Sequence, residues 1–416
     1  MSQYYDTLET RAPEERETAL MAALARQVAH AKANAPAFAR LLADVDPAEV
    51  RSRAALARLP IVRKSELADL QKADPPFGGL AAVPTPRLAK IFVSPGPIYD
   101  PEGTAADWWR TARALWAAGF RAGDVVINSL SYHFTPAGSM FESGARAIGC
   151  VVVPSGTGQT EMQVATIRDL RITSYVGTPS FLKLIVEKAD EMKVDLGWLK
   201  KALVGAEYLP PALREAMRAR GVQVLQMYGT ADLGLIAYET TGPDGLPCEG
   251  MVLEESLILE IVRPGTGDPV PAGEVGEVVV TTLNPDYPLI RFATGDLSAV
   301  LPGLSPCGRT NTRIRGWLGR ADQTTKVRGL FVTPKQVAEI ARRFAELGRV
   351  RLVIEGETGA ERMALRCEVV EARAGLAETI VAAIREVTKL RGEVEFVPPG
   401  SLPNDGKVID DLRKYG

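Results

Sequence analysis

Residues 150–192 read CVVVPSGTGQTEMQVATIRDLRITSYVGTPSFLKLIVEKADEM. Two short apolar runs, CVVVPSG and TSYVGTPS, flank EMQVATIRDLR, and FLKLIVEKADEM follows. The two runs have the length and β-branched content of buried strands. The other two segments space their apolar residues at helical intervals with charges between. Strand, helix, strand, helix in this order implies a parallel pair with a covering helix, because a parallel strand needs a crossover and a helix usually supplies it.

The alternation continues in both directions. Upstream it predicts a helix over Trp108–Gly119, a strand in DVVINSL (124–130) and a helix in GSMFESGARAIG (138–149). Downstream come KALVGAE (201–207) as strand, PPALREAMRARG (210–221) as helix, and VQVLQMYGTAD (222–232) as a strand running into a loop. The expectation is an α/β fold, a mainly parallel sheet covered by helices. From Leu257 the texture changes to SLILEIV, GEVGEVVVTTL and YPLIRFATGDLSAV, strands separated by turn clusters, which predict a β subdomain over about 257–318. Beyond it, TPKQVAEIARRFAEL, RVRLVIEG, RMALRCEVV, LAETIVAAIREVTKL and GEVEFVP predict a compact α+β domain over 319–416, leaving 1–318 as the large domain. Near the N-terminus, Leu20, Leu24 and Val28 mark one face of a helix. Ser65 in LPIVRKSELADL is placed to cap a short one, and LAKIFVSPGPIYDPEG (88–103) reads as a strand entering a Gly- and Pro-rich loop.

Composition narrows the function. A net charge of -2 leaves no basic excess for a polyphosphate backbone, which argues against nucleic acid as a partner. No apolar run approaches the roughly 20 residues of a membrane span. Met1–Arg16 is polar and acidic, unlike a targeting peptide, and the expected compartment is the cytoplasm. Four scattered cysteines and two histidines, His30 and His133, argue against a disulfide framework and a His-rich metal centre.

The order of LPIVRKSEL (59–67), PPFGGLAAVP (75–84), YHFTPAGSMFESGARAIGCVVVPSGTGQTEMQ (132–163), YVGTPSFLKLI (175–185) and GAEYLPPALREAM (205–217) resembles the adenylate-forming ligases, in particular the phenylacetate-CoA ligase branch, over nearly the whole chain. The resemblance implies a two-step reaction. A carboxylic acid attacks the α-phosphate of ATP to give acyl-AMP, and coenzyme A then displaces AMP. The small C-terminal domain is implied to rotate between the steps. It also implies Mg²⁺, and a homodimer by analogy alone.

Carried residue by residue, the resemblance makes Lys407 in LPNDGKVIDD the catalytic lysine, a cation for charge developing at the α-phosphate. Gly205, Ala206 and Glu207 line the nucleotide pocket. Tyr228, Gly229 and Thr230 in QMYGTADLG contact AMP, with Asp232 as the Mg²⁺ ligand accompanying ATP. Asp296 in RFATGDL accepts the ribose hydroxyls, since a carboxylate offers two oxygens to a cis-diol. In GRADQTTKVRG, Arg320 contacts ribose or phosphate and Asp322 is the hinge. Tyr132, His133 and Phe134 are implied to line the acyl pocket, whose aromatic walls suit an aryl or arylacetic acid.

Two departures stand out. Where the family carries a Gly-, Ser/Thr- and Lys-rich phosphate loop, this chain has VSPGPIYDPEGTAADW. Ser94 and Gly96 remain, but Pro95 and Pro97 remove N–H donors, the lysine is missing, and Asp100 and Glu102 add negative charge. The altered loop leaves a second function open: a nucleotide- or acyl-adenylate-binding protein with weakened ATP use. In addition, SPCGRTNTRI has only Cys307 where some relatives carry a Cys/His cluster, with Asn311 at the histidine position, so no zinc is expected.

Overall fold

The computed structural model describes residues 3–321, 323, 325–328, 330–356, 361–403 and 408–413. Asp322 and Lys407 lie outside them. The chain divides into two compact units, Met1–Leu318 and Gly319–Gly416.

In the first unit, five strands run parallel in the order Val151–Val153, Val125–Asn128, Ser174–Gly177, Lys201–Val204, Gln223–Thr230. Helices Ala137–Ala147, Thr160–Asp169, Pro179–Met192 and Pro211–Ala219 make the crossovers. All five strands read over 124–232 enter this sheet, with Val151–Val153 at its edge beyond Val125–Asn128. Ser174–Gly177 is buried at every position, as a strand covered on both faces must be. The sheet then turns antiparallel. Gly234–Tyr238, Met251–Leu253, Arg313–Ile314 and Val300–Leu301 extend it.

The strands Leu257–Val262, Gly276–Thr282 and Phe292–Ser298 form a second, antiparallel sheet. Val62–Arg63 joins its edge in parallel with Phe292 and Ala293. Arg291 anchors this junction. Its guanidinium, only 2% exposed, donates twice to Glu260 at 3.0 Å and to the carbonyls of Ala57, Leu59 and Gly267 at 2.7 Å each. Removing one partner of a buried pair strands the other charge. Arg291→Met is therefore expected to lower stability by about 3–5 kcal/mol. The check is a denaturant melt; a loss near zero would refute the anchoring role.

Local readings differ in three places. The helix expected over 108–119 spans only Ala112–Ala117, because the Asp107 carboxylate accepts the amide of Ala112 and fixes its start, while Trp108 and Trp109 pack edge to face. Ser65 lies inside a 3-10 turn, Lys64–Glu66, and does not cap the helix Leu67–Ala73 that follows. The supposed Gly/Pro loop is a hairpin, with Lys90–Ser94 paired to Ile98–Glu102 around a Pro95–Gly96–Pro97 turn.

The second unit carries the sheet Glu393–Val397, Arg362–Glu368, Val350–Glu355, Ile409–Asp411. Helices Pro334–Arg342 and Leu376–Thr388 pack Val337, Ile340, Ile380 and Ile384 into a core with Leu352, Ile354 and Leu365. A capping box of Thr333 and Gln336 starts the first helix. Among the described residues, no helix is long and apolar enough to cross a membrane.

Candidate active site

The carboxyl ends of the parallel strands carry the loops that the sequence marked, as open α/β sheets place their crevices. Gly205–Glu207 follows Lys201–Val204, and Tyr228–Thr230 closes the neighbouring strand. Ala206 is exposed with φ +65°, a backbone conformation that non-glycine residues seldom adopt. The Glu207 carboxylate accepts the amide of Ser180 at 3.3 Å, at the start of helix Pro179–Met192, while its carbonyl accepts the Gln226 side chain at 3.0 Å. Gly229 is required sterically, since a Cβ there would stand 2.5 Å from the carbonyl oxygen of Gly234.

Asp296 reaches this edge from the second sheet. Tyr228 Oη donates to its Oδ2 at 2.8 Å and Trp317 Nε1 to its Oδ1 at 3.1 Å. The backbone N–H of Asp296 donates to Thr294 Oγ1. The carboxylate thus accepts from an aromatic hydroxyl on one oxygen and from an indole on the other. Trp317 was not foreseen from the sequence.

Asp232 lies in the turn between Gln223–Thr230 and Gly234–Tyr238, its side chain fully buried. Lys64 Nζ donates to Oδ2 at 2.5 Å, and Oδ1 has no hydrogen-bond partner among the described residues. Burial works against the Lys64 charge, but Asp232, Asp100 and Asp296 together outweigh it and raise its pKa. The orphaned Oδ1 fits a hard cation, while Lys64 would compete for the same carboxylate. Lys64 and Asp232 are 168 positions apart, so no local spacing could have paired them.

The phosphate-loop hairpin corrects the sequence reading of its charges. Glu102 is turned inward and buried. It accepts Trp109 Nε1 at 2.6 Å and Ser139 Oγ at 2.7 Å and pairs with Lys90 at 3.0 Å. Asp100 is likewise inside, 0% exposed. Among the described residues neither of its oxygens finds a hydrogen bond of normal geometry, although the Lys64 ammonium and the Ser94 hydroxyl both favour its charge. Burial, then the Asp232 carboxylate, push its pKa up to about 8. The flanks are pinned. Gln71, on the helix after Lys64, accepts the amide of Tyr99 at 2.7 Å and donates to its carbonyl at 2.9 Å, and Val93 N donates to Phe134 O. Ser94 is buried, while Gly96 is exposed at the turn.

Of the three residues expected at the acyl pocket, Tyr132 is half-buried, its hydroxyl accepting Asn128 Nδ2 at 2.9 Å. Burial and Glu142 push its pKa up. His133 and Phe134 are exposed, Phe134 by 77% and with φ +59°. At the former cluster position, the Cys307 thiol sits against Ser305 and Arg309, and Asn311 donates to the Leu253 carbonyl, a strand tie. Arg320 opens the second unit, half-buried.

The family model for the AMP-binding enzymes matches residues 104–284. The chain is 32% identical to a phenylacetate-coenzyme A ligase of Thermus thermophilus, covering 99% of this chain and 100% of that one. It is 29% identical to the phenylacetate-coenzyme A ligase of Escherichia coli, over 98% and 97%. Among solved structures, a 2-hydroxyisobutyryl-CoA ligase in complex with 2-HIB-AMP and CoA superposes with a TM-score of 0.81 at 25% identity, covering 100% of this chain and 93% of that one. The chain belongs to the phenylacetate-CoA ligase branch of the AMP-forming, adenylate-forming enzymes, and its activity is that of an acid–thiol ligase working through an acyl-adenylate. A bare nucleotide binder is not favoured, and the loop charges that suggested one are turned inward.

Proposed function

We propose that the acid is an aryl or arylacetic acid, that Mg²⁺ accompanies ATP, and that the residues named above divide the reaction as follows. Asp296 accepts the ribose hydroxyls and fixes the nucleotide. Tyr228 holds that carboxylate and borders the adenine with Gly205, Ala206 and Glu207. Asp232 is the protein ligand for the cation, which when bound neutralises phosphate charge. A carboxylate oxygen of the acid attacks the α-phosphorus, pyrophosphate leaves, and Lys407 stabilises the charge gathered there. Arg320 steadies the ribose or phosphate, and the small domain turns at Asp322. The coenzyme A sulfur then attacks the acyl carbon and AMP departs. Tyr132, with His133 and Phe134 at the rim, borders the acyl group.

The observation that carries this reading is the Tyr228–Asp296–Trp317 arrangement at the sheet's carboxyl edge. The test is acid-dependent pyrophosphate release from Mg·ATP, followed by thioester formation with coenzyme A. Aryl and arylacetic acids are expected to give kcat/KM at least about tenfold above short aliphatic and hydroxy acids, the discrimination a few apolar contacts supply. Preference for a short hydroxy acid would sink the substrate assignment and leave the ligase chemistry standing.

A further inference from the structure

The two donors that hold Asp296 come from different parts of the first unit. Tyr228 belongs to the strand Gln223–Thr230, whereas Trp317 belongs to the last segment of that unit, residues 315–318. This segment is neither helix nor strand, yet it is stitched to the strand that carries Asp296 and to the residue after it. Arg315 N donates to Ala299 O at 2.9 Å, Ser298 Oγ to Gly316 O at 2.7 Å, and Leu318 N to Leu297 O at 2.9 Å. Between the last two bonds the indole turns back, and its Nε1 donates to Asp296 Oδ1 at 3.1 Å.

The Trp317 ring packs against the core, but Arg315 and Leu318 are exposed, so hydrogen bonds rather than burial hold those two residues in line. Gly319, which opens the second unit, has φ +126° and open space where a Cβ would stand. The chain thus passes from a hydrogen-bonded strap to a residue whose backbone is free to turn. The indole also completes the setting of the carboxylate. The terminal torsion of an aspartate is broad, and a donor on one oxygen alone leaves the carboxylate plane free to swing; a second donor on the other oxygen fixes it.

We infer that Trp317 is a positioning residue that couples the nucleotide site to the segment from which the small domain departs. The indole sets the plane of the Asp296 carboxylate, and a ribose held by that carboxylate in turn holds residues 315–318 in place. This inference rests on Asp296 as the acceptor of the ribose hydroxyls. Coupling of this kind is reciprocal: a segment made firmer by nucleotide must, when loosened by mutation, bind nucleotide less tightly. In the proposed cycle the small domain turns from a firm base while AMP or acyl-AMP occupies the site, and from a looser one when the site is empty.

The experiment is hydrogen exchange of the backbone amides in 315–318, followed by mass spectrometry with and without saturating AMP, beside calorimetric AMP affinities. In the wild type, AMP is expected to slow exchange in this segment by about threefold or more. Trp317→Phe keeps the apolar ring and loses the N–H. It should bind AMP about tenfold more weakly, the loss of one bond to a charged acceptor. At saturating AMP its segment should exchange within about 1.5-fold of the free variant, because the link is cut. Ser298→Ala loosens the strap without removing a donor from the carboxylate. It should speed exchange in the free protein and weaken AMP by about two- to threefold.

A merely structural role for Trp317 predicts something else: faster exchange in the variant, with AMP still slowing it as in the wild type. That result would overturn the inference. So would a wild-type segment indifferent to AMP, or a Ser298→Ala protein whose segment is freed while its AMP affinity is unchanged. Should Trp317→Phe fail to fold, the wild type and Ser298→Ala decide alone. If Asp296→Ala loses AMP and Trp317→Phe binds it as wild type does, only this inference falls. If Asp296→Ala itself binds AMP normally, the ribose role falls with it.

Discussion

Alanine at Asp296 is expected to weaken AMP binding by on the order of a hundredfold or more, from the loss of two hydrogen bonds to a charged acceptor at about 1.5–3 kcal/mol each. The carboxylate is 7% exposed, and its orientation is set from both sides by Tyr228 Oη and Trp317 Nε1. Alanine therefore also leaves those two donors without their acceptor, and the fold should lose about 1–3 kcal/mol in the same variant. Asp296→Asn keeps the shape and one acceptor oxygen and should fall between. Tyr228→Phe removes one donor and leaves the carboxylate in place, so AMP affinity should drop by about tenfold or less. Calorimetry with AMP separates these cases. An Asp296→Ala protein that binds AMP within threefold of wild type would dismiss the ribose role.

Lys407→Ala should slow acyl-adenylate formation by about 10²–10³-fold, the usual consequence of deleting a fixed positive or hydrogen-bonding group at developing charge. The later half-reaction, from supplied acyl-AMP and coenzyme A, should change by no more than a few fold, because the α-phosphate is then part of the leaving group. The argument comes from the LP…GK pattern at 402–407. Pyrophosphate release and thioester formation must be measured separately. Equal loss in both halves would mean that Lys407 serves the fold or general binding instead.

The parallel core was legible because its periodicity is local. Tyr175, Val176 and Leu203 are fully buried where short apolar runs alternate with amphipathic helices. The marked segments GAEYLP and QMYGTAD sit at strand ends of the parallel sheet, while TGD lies inside Phe292–Ser298 of the second sheet, and folding brings Tyr228 to Asp296. The Lys64–Asp232 pair was not legible, since tertiary folding alone brings a lysine near the N-terminus to a turn 168 positions later. The Ile98–Glu102 strand was masked by Pro101, which reads as a strand breaker. A two-stranded hairpin consists of edges, where a missing N–H is tolerated. Glu102 was read as a charge facing ligand because sequence gives residue type but not direction. Its partners Trp109, Ser139 and Lys90 turn it inward.

The Pro95–Gly96–Pro97 turn also bears on directionality. It offers one backbone N–H where a phosphate loop normally presents several. The groups that hold the outer phosphates of ATP are the groups that hold pyrophosphate after the bond breaks, so a loose grip on one is a loose grip on the other. On the proposed reading, forward turnover is expected to need a high ATP concentration, and the by-product is expected to escape readily and compete poorly for re-binding. Resynthesis of ATP from acyl-AMP is correspondingly starved of its second reactant. On that reading, three residues at the tip of a hairpin trade affinity at the start of the cycle for commitment at its first chemical step.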